Sequence, residues 1–299
     1  MKILVTGGTV FASRFTAEYF ARENEVFVLN RGSRPQAEGV TLIKADKHSL
    51  GDTLKGHRFD AVLDVCAYNA SDIDDLLDAL WEFGSYIMVS SSAVYPETLP
   101  QPFAENQQVG ANSIWGAYGT DKIAAEKRLL ERVPDAYIIR PPYLYGKMNN
   151  LYREAFVFDC AERGLLFYTP KYGKMPLQFF DIEDLCRFIE ILLAKKPEQR
   201  VFNVGNPCVD INEWVRLCYG VLGKTPELVY VNQNLDQRSY FPFYDYGYEL
   251  DTTAMSELMP ALKPLETGLA QSYEWYSDNK EQVRVKPLLE FIAENLGGI

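Results

Sequence analysis

Short apolar runs alternate with longer amphipathic stretches through the first two thirds of the chain. The runs are Ile3–Thr6, Val26–Leu29, Thr41–Ile43, Ala61–Val65, Tyr86–Ser90, Tyr137–Ile139 and Val201–Val204. Near-continuous apolar strands separated by helices are typical of a parallel sheet covered on both faces. The pattern predicts a Rossmann-like, doubly wound α/β fold.

Two of the amphipathic stretches have clear helix signals. The stretch Ser71–Phe83 opens with serine and acidic residues, which suit a helix N-terminus, and then carries leucines at helical spacing. A second helix is predicted from about Tyr118 to Arg132, before Pro134.

After Gly146 the alternation weakens, and aromatic-rich stretches mix with proline and glycine. This change indicates a second lobe. The helix predicted at Asp184–Ala194 and the strand after it still suit the sheet, so the lobes are interleaved in sequence. The expected division is a dinucleotide-binding domain at 1–146 plus about 177–206, and a smaller α+β substrate lobe at about 147–176 plus 207–299.

Composition narrows the classes of function. The 299 residues carry 41 acidic against 30 basic side chains, a net charge of -11, which disfavours binding to a phosphate backbone. The two histidines, His48 and His57, lie among polar residues, so neither a metal site nor a Ser-His-Asp triad is predicted. No apolar run reaches the length of about 18 residues that a membrane span needs. We therefore expect no nucleic-acid or membrane partner.

The expected location is the cytoplasm. The five cysteines form no CxxC pair and are odd in number, which suggests reduced thiols. The N-terminal apolar run reaches Gly7 too soon for the core of a signal peptide.

The first strand leads directly into a glycine turn and then a helix. Such a turn lets the backbone approach a pyrophosphate at the helix N-terminus. A complete GxGxxG pattern would need glycine at Val10 and Ser13, so a plain strand–turn–helix is the alternative. The candidate cofactor contacts in this turn are Gly7, Gly8, Thr9, Val10 and Phe11.

The second strand ends in Leu29-Asn30-Arg31-Gly32, without the carboxylate that would hold a ribose 2′-hydroxyl. Asn30 and Arg31 instead suit a 2′-phosphate, because a guanidinium binds phosphate through two hydrogen bonds. NADP is therefore favoured and NAD remains possible; the alternative is a solvated loop arginine.

Two further strand ends carry candidate contacts to adenine and ribose. Asp46 follows the third strand, and Cys66, Ala67 and Tyr68 follow the fourth. Ligands bind at the carboxyl ends of parallel strands, which is the whole basis for these candidates. A role in a turn or in the core is the alternative for each.

Tyr118 and Lys122 are four residues apart and therefore lie on one helical face. A tyrosine with the ordinary pKa of about 10 is a poor base, but a lysine ammonium and a nicotinamide cation would both favour the phenolate. Upstream, Ser90, Ser91 and Ser92 end a strand at the same edge of the sheet. Ser91 could hold a reacting oxygen while Tyr118 takes its proton and hydride leaves for nicotinamide. The alternative is a surface Tyr–Lys pair.

Taken together, these motifs resemble the extended short-chain dehydrogenases/reductases of the NAD-dependent epimerase/dehydratase family, whose members mostly act on nucleotide sugars. The residues that carry the resemblance are Thr6-Gly7-Gly8-Thr9, Ser90-Ser91-Ser92-Ala93-Val94-Tyr95, Tyr118 with Lys122, Arg140-Pro141-Pro142-Tyr143-Leu144-Tyr145-Gly146, Asp181-Ile182-Glu183-Asp184-Leu185 and Phe202-Asn203-Val204-Gly205-Asn206.

The resemblance implies Tyr118 as the catalytic acid/base, Lys122 as its pKa partner and ribose ligand, and Ser91 as the catalytic serine. It also implies a homodimer. Further cofactor contacts are implied at Ser90 and Pro141, and substrate contacts at Ser92, Tyr143, Asn149, Gln178 and Arg238.

Several positions depart from the family pattern. The TGGT turn is closer to an atypical branch that includes chloroplast stem-loop-binding-like proteins. The segment Tyr68–Ser71 is too short for the long loop of many epimerases, Tyr143 replaces a usual asparagine, and Arg238 alone represents an arginine-rich diphosphate site.

Three hypotheses follow. The first is an NAD(P)-dependent epimerase or dehydratase of a nucleotide sugar, which oxidises a sugar carbon transiently. The second is an NADPH-dependent reductase of a small carbonyl that uses the same three residues. The third is a non-catalytic cofactor-sensing or RNA-binding protein with the same fold.

Overall fold

A computed structural model of the chain describes residues 1–297. Within them the strands are β1 Lys2–Thr6, β2 Glu25–Asn30, β3 Val40–Lys44, β4 Arg58–Asp64, β5 Glu82–Val89, β6 Tyr137–Arg140, β7 Tyr143–Tyr145, β8 Phe167–Pro170, β9 Pro176–Leu177, β10 Phe179–Asp181, β11 Val201–Asn203, β12 Val209–Asp210 and β13 Leu228–Val231. The α-helices are α1 Phe11–Phe20, α2 Ala70–Ala79, α3 Ala117–Arg132, α4 Glu154–Arg163, α5 Ile182–Lys195, α6 Ile211–Val221, α7 Thr253–Leu258, α8 Leu265–Asp278 and α9 Leu288–Asn295. Short 3-10 helices span Ser92–Val94, Gln237–Ser239 and Lys280–Gln282.

The central sheet has seven strands in the order β11-β6-β5-β4-β1-β2-β3, and its strand pairs are parallel. Each of these strands overlaps one of the seven apolar runs in the sequence, so the doubly wound α/β prediction is confirmed. Ile3, Leu4 and Val5 of β1 are fully buried at its centre. The chain leaves β1 for β2 on one side and later returns to β4 on the other, which creates the crevice where such folds bind ligands.

The helix predicted at Ser71–Phe83 is shorter than expected. The amide of Asp72 donates to the side chain of Asn69 at 3.0 Å, so the helix is capped before Ser71. It ends at Ala79, and Glu82 already pairs with Arg58 as the first residue of β5. Strand pairing therefore overrides the helical spacing at the end of this segment.

The chain divides into two compact units. The first comprises Met1–Leu144, Ile182–Gly205 and Leu250–Leu262, and the second comprises Tyr145–Asp181, Asn206–Glu249 and the described residues from Lys263 onward. Segment Leu250–Leu262, which the sequence assigned to the substrate lobe, packs with the first unit. In that unit the amide of Asp251 donates to the carbonyl of Phe103 at 2.8 Å. The assignment of the units to cofactor and to substrate stays a prediction.

Aromatic side chains form the core of the second unit. The ring of Trp214 stacks on Phe179 at a centroid distance of 5.6 Å and meets the edge of Phe243 at 5.1 Å. All three residues are buried. The aromatic composition that distinguishes this part of the sequence is thus explained by packing.

Over residues 1–297, none of the helices combines the length and the apolar character required to cross a membrane. The five cysteines are all free thiols.

Candidate active site

The turn after β1 requires glycine at both Gly7 and Gly8. Their φ angles are +87° and +81°, in the left-handed region that favours glycine. A Cβ added to Gly7 would lie 2.5 Å from Sγ of Cys66, and one added to Gly8 would lie 2.6 Å from Cγ1 of Val28. At both positions an added Cβ would collide with a neighbouring side chain, so glycine lets the backbone of the turn pack closely on Cys66 and Val28.

The turn leads into the N-terminus of α1. Val10 occupies the position before the helix, and its side chain has no oxygen to accept hydrogen bonds from the first amides. Ser13, where a complete motif would have glycine, donates its hydroxyl to the carbonyl of Val10 at 3.1 Å. Thr9 and Phe11 are partly exposed beside it. A helix N-terminus without a side-chain cap can bind ligand oxygens through its first amides.

A cavity of about 340 Å³ opens at the carboxyl ends of β1, β2, β3 and β4. Several residues predicted as cofactor contacts line it, namely Gly7, Asn30, Arg31, Asp46, Cys66, Ala67 and Tyr68. The cavity therefore brings together the candidate contacts from four separate strand ends. The other predicted cofactor contacts do not line this cavity.

Asn30 shapes the turn instead of pointing freely into the cavity. Its Nδ2 donates to the carbonyl of Gly7 at 2.6 Å and to Oε1 of Gln36 at 2.8 Å, and its Oδ1 accepts the amide of Gly32 at 2.8 Å. Arg31 is exposed at the rim. The guanidinium of Arg31 is thus the group at the end of β2 that is placed to meet an anionic ligand.

The cavity wall also contains residues that the sequence did not predict, among them Lys47, His48 and Asp72. The carboxylate of Asp72 pairs with Nζ of Lys47 at 2.8 Å and accepts the amide of Tyr68 at 2.7 Å. Burial acts to raise the pKa of Asp72, but these hydrogen bonds outweigh it and the pKa lies below its usual value. His48 lies 2.9 Å from Asp75.

Lys47 and His48 directly follow the third strand and Asp46, so position alone could have indicated them. Asp72 had no such signal, because a carboxylate in the first turn of a helix usually has a capping role.

Cys66 lies under the glycine turn. Its amide donates to Oγ1 of Thr6 at 3.1 Å, and burial of its thiol, followed by the charge of Asp64, raises the pKa of Cys66 to about 11. The carboxylate of Asp64 is itself held by the hydroxyls of Thr6 at 2.7 Å and Tyr86 at 2.6 Å. Cys66 therefore contributes shape to the cavity and stays a thiol at neutral pH.

Lys122 is buried at the edge of the sheet although it carries an ammonium group. Its Nζ donates to the carbonyls of Ala67 at 2.6 Å and Val89 at 3.0 Å, and it lies 5.2 Å from the ring centroid of Tyr68. Burial lowers the pKa of Lys122, while the charge of Asp64 acts most strongly in the opposite direction.

Tyr118 begins the same helix, α3, and is 42% exposed. Its ring lies 6.5 Å from the ring of Tyr68, which is also exposed. A Cβ on Gly119 would lie 2.4 Å from the carbonyl oxygen of Ala93, so this glycine lets α3 approach the 3-10 helix at Ser92–Val94 closely. The start of α3 and the serine-bearing strand end are thereby held together.

The three serines after β5 have different environments. Ser91 is partly exposed, and its Oγ accepts the amide of Ala93 at 3.2 Å. Ser90 is buried and donates its hydroxyl to Glu126 at 2.5 Å. Ser92 is buried, and its amide donates to the carbonyl of Pro141 at 2.9 Å. Of the three, Ser91 has the side chain that is most accessible to a ligand.

The predicted substrate residues lie in both units. Tyr143, in the first unit, is buried with its ring 6.2 Å from that of Trp115. In the second unit, Asn149 donates to Glu154 at 2.8 Å and Gln178 donates to the carbonyl of Asn206 at 3.1 Å. Arg238 donates to the carbonyl of Pro242, and its guanidinium lies 4.6 Å from the ring centroid of Tyr244. Their contacts to substrate stay predictions.

A comparison with protein families gives a match to the NAD-dependent epimerase/dehydratase family over residues 3–205. The chain belongs to this family. The matched region contains the sheet, the glycine turn, the serine strand end and the Tyr118–Lys122 helix, so the family resemblance seen in the sequence motifs is confirmed.

Individual proteins extend the comparison over most of the chain. The chloroplast stem-loop binding protein of 41 kDa b from Arabidopsis thaliana is 26% identical, over 91% of this chain and 78% of that protein. The dTDP-glucose 4,6-dehydratase of Bacillus anthracis, solved with NAD, is 20% identical with a TM-score of 0.75, over 96% of this chain and 99% of that one. The UDP-glucose 4-epimerase of Thermotoga maritima, solved with UDP-glucose, is 18% identical with a TM-score of 0.75, over 94% and 100%. At these identities the two solved structures show a shared fold.

Proposed function

We propose that this protein is an NAD(P)-dependent enzyme that epimerises or dehydrates a nucleotide sugar at a centre formed by Ser91, Tyr118 and Lys122. The observation that carries the proposal is the placement of the Lys122 ammonium. It is 3% exposed, is held by two carbonyls at the carboxyl edge of the sheet, and lies on the same helix as the exposed Tyr118. Few structural needs justify burying a lysine there, because burial of a charge is costly.

The first unit fits a dinucleotide. The glycine turn packs closely on Cys66 and Val28, Val10 gives the N-terminus of α1 no side-chain cap, and the adjoining cavity lies at the sheet crevice. When bound, the dinucleotide supplies a nicotinamide that takes a hydride from the substrate carbon and returns it.

The chain's own groups would manage the proton. Tyr118 accepts the proton of the substrate hydroxyl and gives it back, Ser91 holds the reacting oxygen, and the Lys122 ammonium favours the phenolate form of Tyr118. Structures of similar proteins with UDP-glucose and with dTDP-glucose dehydratase activity support a nucleotide sugar as substrate.

For the cofactor we favour NADP over NAD. No carboxylate ends β2, the Asn30 side chain is used to hold the turn, and Arg31 is exposed at the cavity rim. A 2′-phosphate can bind the Arg31 guanidinium. The expected result is tighter binding of NADP than of NAD, and Arg31→Ala should remove the difference.

The decisive test measures binding and turnover together. Calorimetry with each dinucleotide should show binding, and a panel of nucleotide sugars should give product with no net change in nicotinamide absorbance. Tyr118→Phe should retain dinucleotide binding and lose turnover. Failure to bind either dinucleotide contradicts the proposal, and steady consumption of NADPH favours a reductase of a small carbonyl instead.

A second candidate comes from the similarity to the chloroplast stem-loop binding protein over 91% of this chain. The candidate is binding of a nucleic-acid stem-loop, against which the net charge of -11 counts. Stem-loop binding that survives physiological salt and is unaffected by Tyr118→Phe would support it.

We further expect a homodimer in the cytoplasm, which sedimentation and localisation of the tagged chain would check.

A further inference from the structure

A buried ion pair lies behind the strand end that carries the candidate serines. Arg140, the last residue of β6, donates from Nε to Oε1 of Glu126 at 3.0 Å and from Nη2 to Oε2 at 2.6 Å. Each side chain is 6% exposed. Two parallel charge-assisted hydrogen bonds fix both side chains in one geometry.

The pair is the centre of a larger hydrogen-bond network. Ser90 donates its hydroxyl to Oε1 of Glu126 at 2.5 Å. On the other side, Nη1 of Arg140 donates to the hydroxyl of Tyr95 at 2.8 Å, which donates to Asn203 at 2.8 Å. The network joins α3 to the ends of β5, β6 and β11, and its Ser90 immediately precedes the candidate catalytic serine.

Glu126 also lies one helical turn after Lys122, on the same face of α3. The charge of Glu126 is one of those that oppose the effect of burial on the pKa of Lys122. The others come from Asp64 of β4, which acts most strongly, and Asp72 of α2.

These acids differ in how they are held. Asp64 accepts hydrogen bonds from neutral hydroxyls, and Asp72 is paired with Lys47, whose side chain is 41% exposed and can move in solvent. Glu126 is held by the buried Arg140 guanidinium and the Ser90 hydroxyl. Among these acids, Glu126 is the one that accepts a hydrogen bond from Ser90, the residue next to Val89, whose carbonyl accepts from Lys122.

We propose that Glu126, held by Arg140, is a positioning residue that keeps the buried Lys122 ammonium protonated and fixes the end of β5 against α3. For its catalytic meaning the proposal rests on the function proposed above. Its electrostatic meaning rests on the i,i+4 spacing of Lys122 and Glu126 on α3 and on their hydrogen bonds to the adjacent residues Val89 and Ser90.

The test observes Lys122 directly. In protein labelled with ¹³C at the lysine Cε, NMR follows each Cε–Hε signal with pH, and loss of one signal in Lys122→Met assigns it. In Glu126→Gln the titration midpoint of Lys122 should fall by about one pH unit, because an opposing charge is lost and Arg140 is left uncompensated. In the double variant Glu126→Gln/Arg140→Gln the midpoint should lie between those of the wild type and Glu126→Gln.

Glu131→Gln is the matched control, because Glu131 is on the same helix with its side chain 48% exposed. Its midpoint for Lys122 should equal that of the wild type. An unchanged midpoint in Glu126→Gln overturns the proposal. If Glu126→Gln does not fold, the double variant is measured instead, because it removes both buried charges together. A Lys122 midpoint in the double variant equal to that of the wild type then overturns the proposal. A neutral Lys122 amine in the wild type at about pH 7.5 overturns it in any case.

The NMR titration requires neither cofactor nor turnover, so it separates this proposal from the proposed function. A shifted midpoint in a protein without turnover supports the positioning role and contradicts the enzyme. Normal turnover with an unshifted Lys122 midpoint supports the proposed function and contradicts the positioning role of Glu126. In an active enzyme the alkaline limb of the kcat profile should move down with the Lys122 midpoint, which a merely structural role of Glu126 would not cause.

Discussion

The two units each bury a glutamate, and they hold it differently. Glu126 of the first unit is paired with Arg140 through two hydrogen bonds. Glu154 of the second unit is 2% exposed. It accepts hydrogen bonds from the side-chain amide of Asn149 at 2.8 Å and from the hydroxyl of Ser272 at 3.3 Å. Burial raises the pKa of Glu154 above its usual value.

The difference shows where each unit keeps charge in its interior. In the first unit the Glu126–Arg140 pair lies one helical turn from Lys122 and bonds to the serine strand end, where we expect proton transfer. In the second unit Glu154 connects α4, the turn at Gly146 and α8 through neutral donors, so its role is to join backbone segments. Neutral donors allow a buried acid such as Glu154 to retain a proton.

The largest expected effect comes from removing the charge of Lys122. Lys122→Met should lower kcat about 10²–10⁴-fold, the usual range for a positioned acid–base system. The midpoint of thermal unfolding should change little, because the loss of a buried charge offsets the loss of hydrogen bonds to two carbonyls. Lys127→Met, on the same helix with its side chain 77% exposed, is the control. Full activity in Lys122→Met would show that the buried charge of Lys122 is not needed for catalysis.

The next effect is on stability. Arg140→Met leaves Glu126 without its cation and should lower the free energy of unfolding by about 3–5 kcal/mol. Urea denaturation measures it, and Arg128→Met is the matched control, because Arg128 pairs with Asp74 on the surface. Equal losses in the two variants would mean that the buried pair is no more important than a surface pair.

The third prediction tests how closely the turn after β1 is packed. Gly8→Ala should cost about 2–4 kcal/mol, because φ is +81° and the new methyl would meet Val28. Gly56→Ala should cost only about 1–2 kcal/mol, since φ is +80° there and, among the described atoms, nothing lies within 4 Å of the added Cβ. Denaturation measures the loss in free energy of unfolding for both variants, and the difference between them is the steric contribution of Val28. Equal losses would show that this contribution is absent.

The smallest effect is expected in the second unit. Because the pKa of Glu154 is raised in the folded state, its protonated form stabilises folding at low pH. That contribution is lost as pH rises above the unfolded value of about 4.3 and through the folded pKa.

Glu154→Gln removes the cost of ionisation, so it should stabilise the protein at pH 7–8 and do so much less near pH 4. Thermal unfolding across this pH range measures the difference. Destabilisation at neutral pH would instead indicate that Glu154 is ionised and held like Glu126.

The sequence contained enough information for the sheet and for part of the site. Buried parallel strands are continuous apolar runs, so each of the seven was visible, and the TGGT turn and the Tyr118–Lys122 spacing are local. Glu126 and Arg140 were not found as a pair, because they are 14 residues apart and only the fold brings them together. The placement of Leu250–Leu262 in the first unit was missed for the same reason, since it depends on contacts with Phe103 far along the chain.

The N-terminus of α1 has a consequence for the lifetime of the protein in a cell. Val10 cannot cap this helix, so a bound phosphate would complete its first turn. A ligand that binds only the native state reduces the unfolded population on which proteases act. If the proposed dinucleotide is that ligand, its binding should slow degradation of the protein, and cells depleted of nicotinamide precursors should degrade it faster.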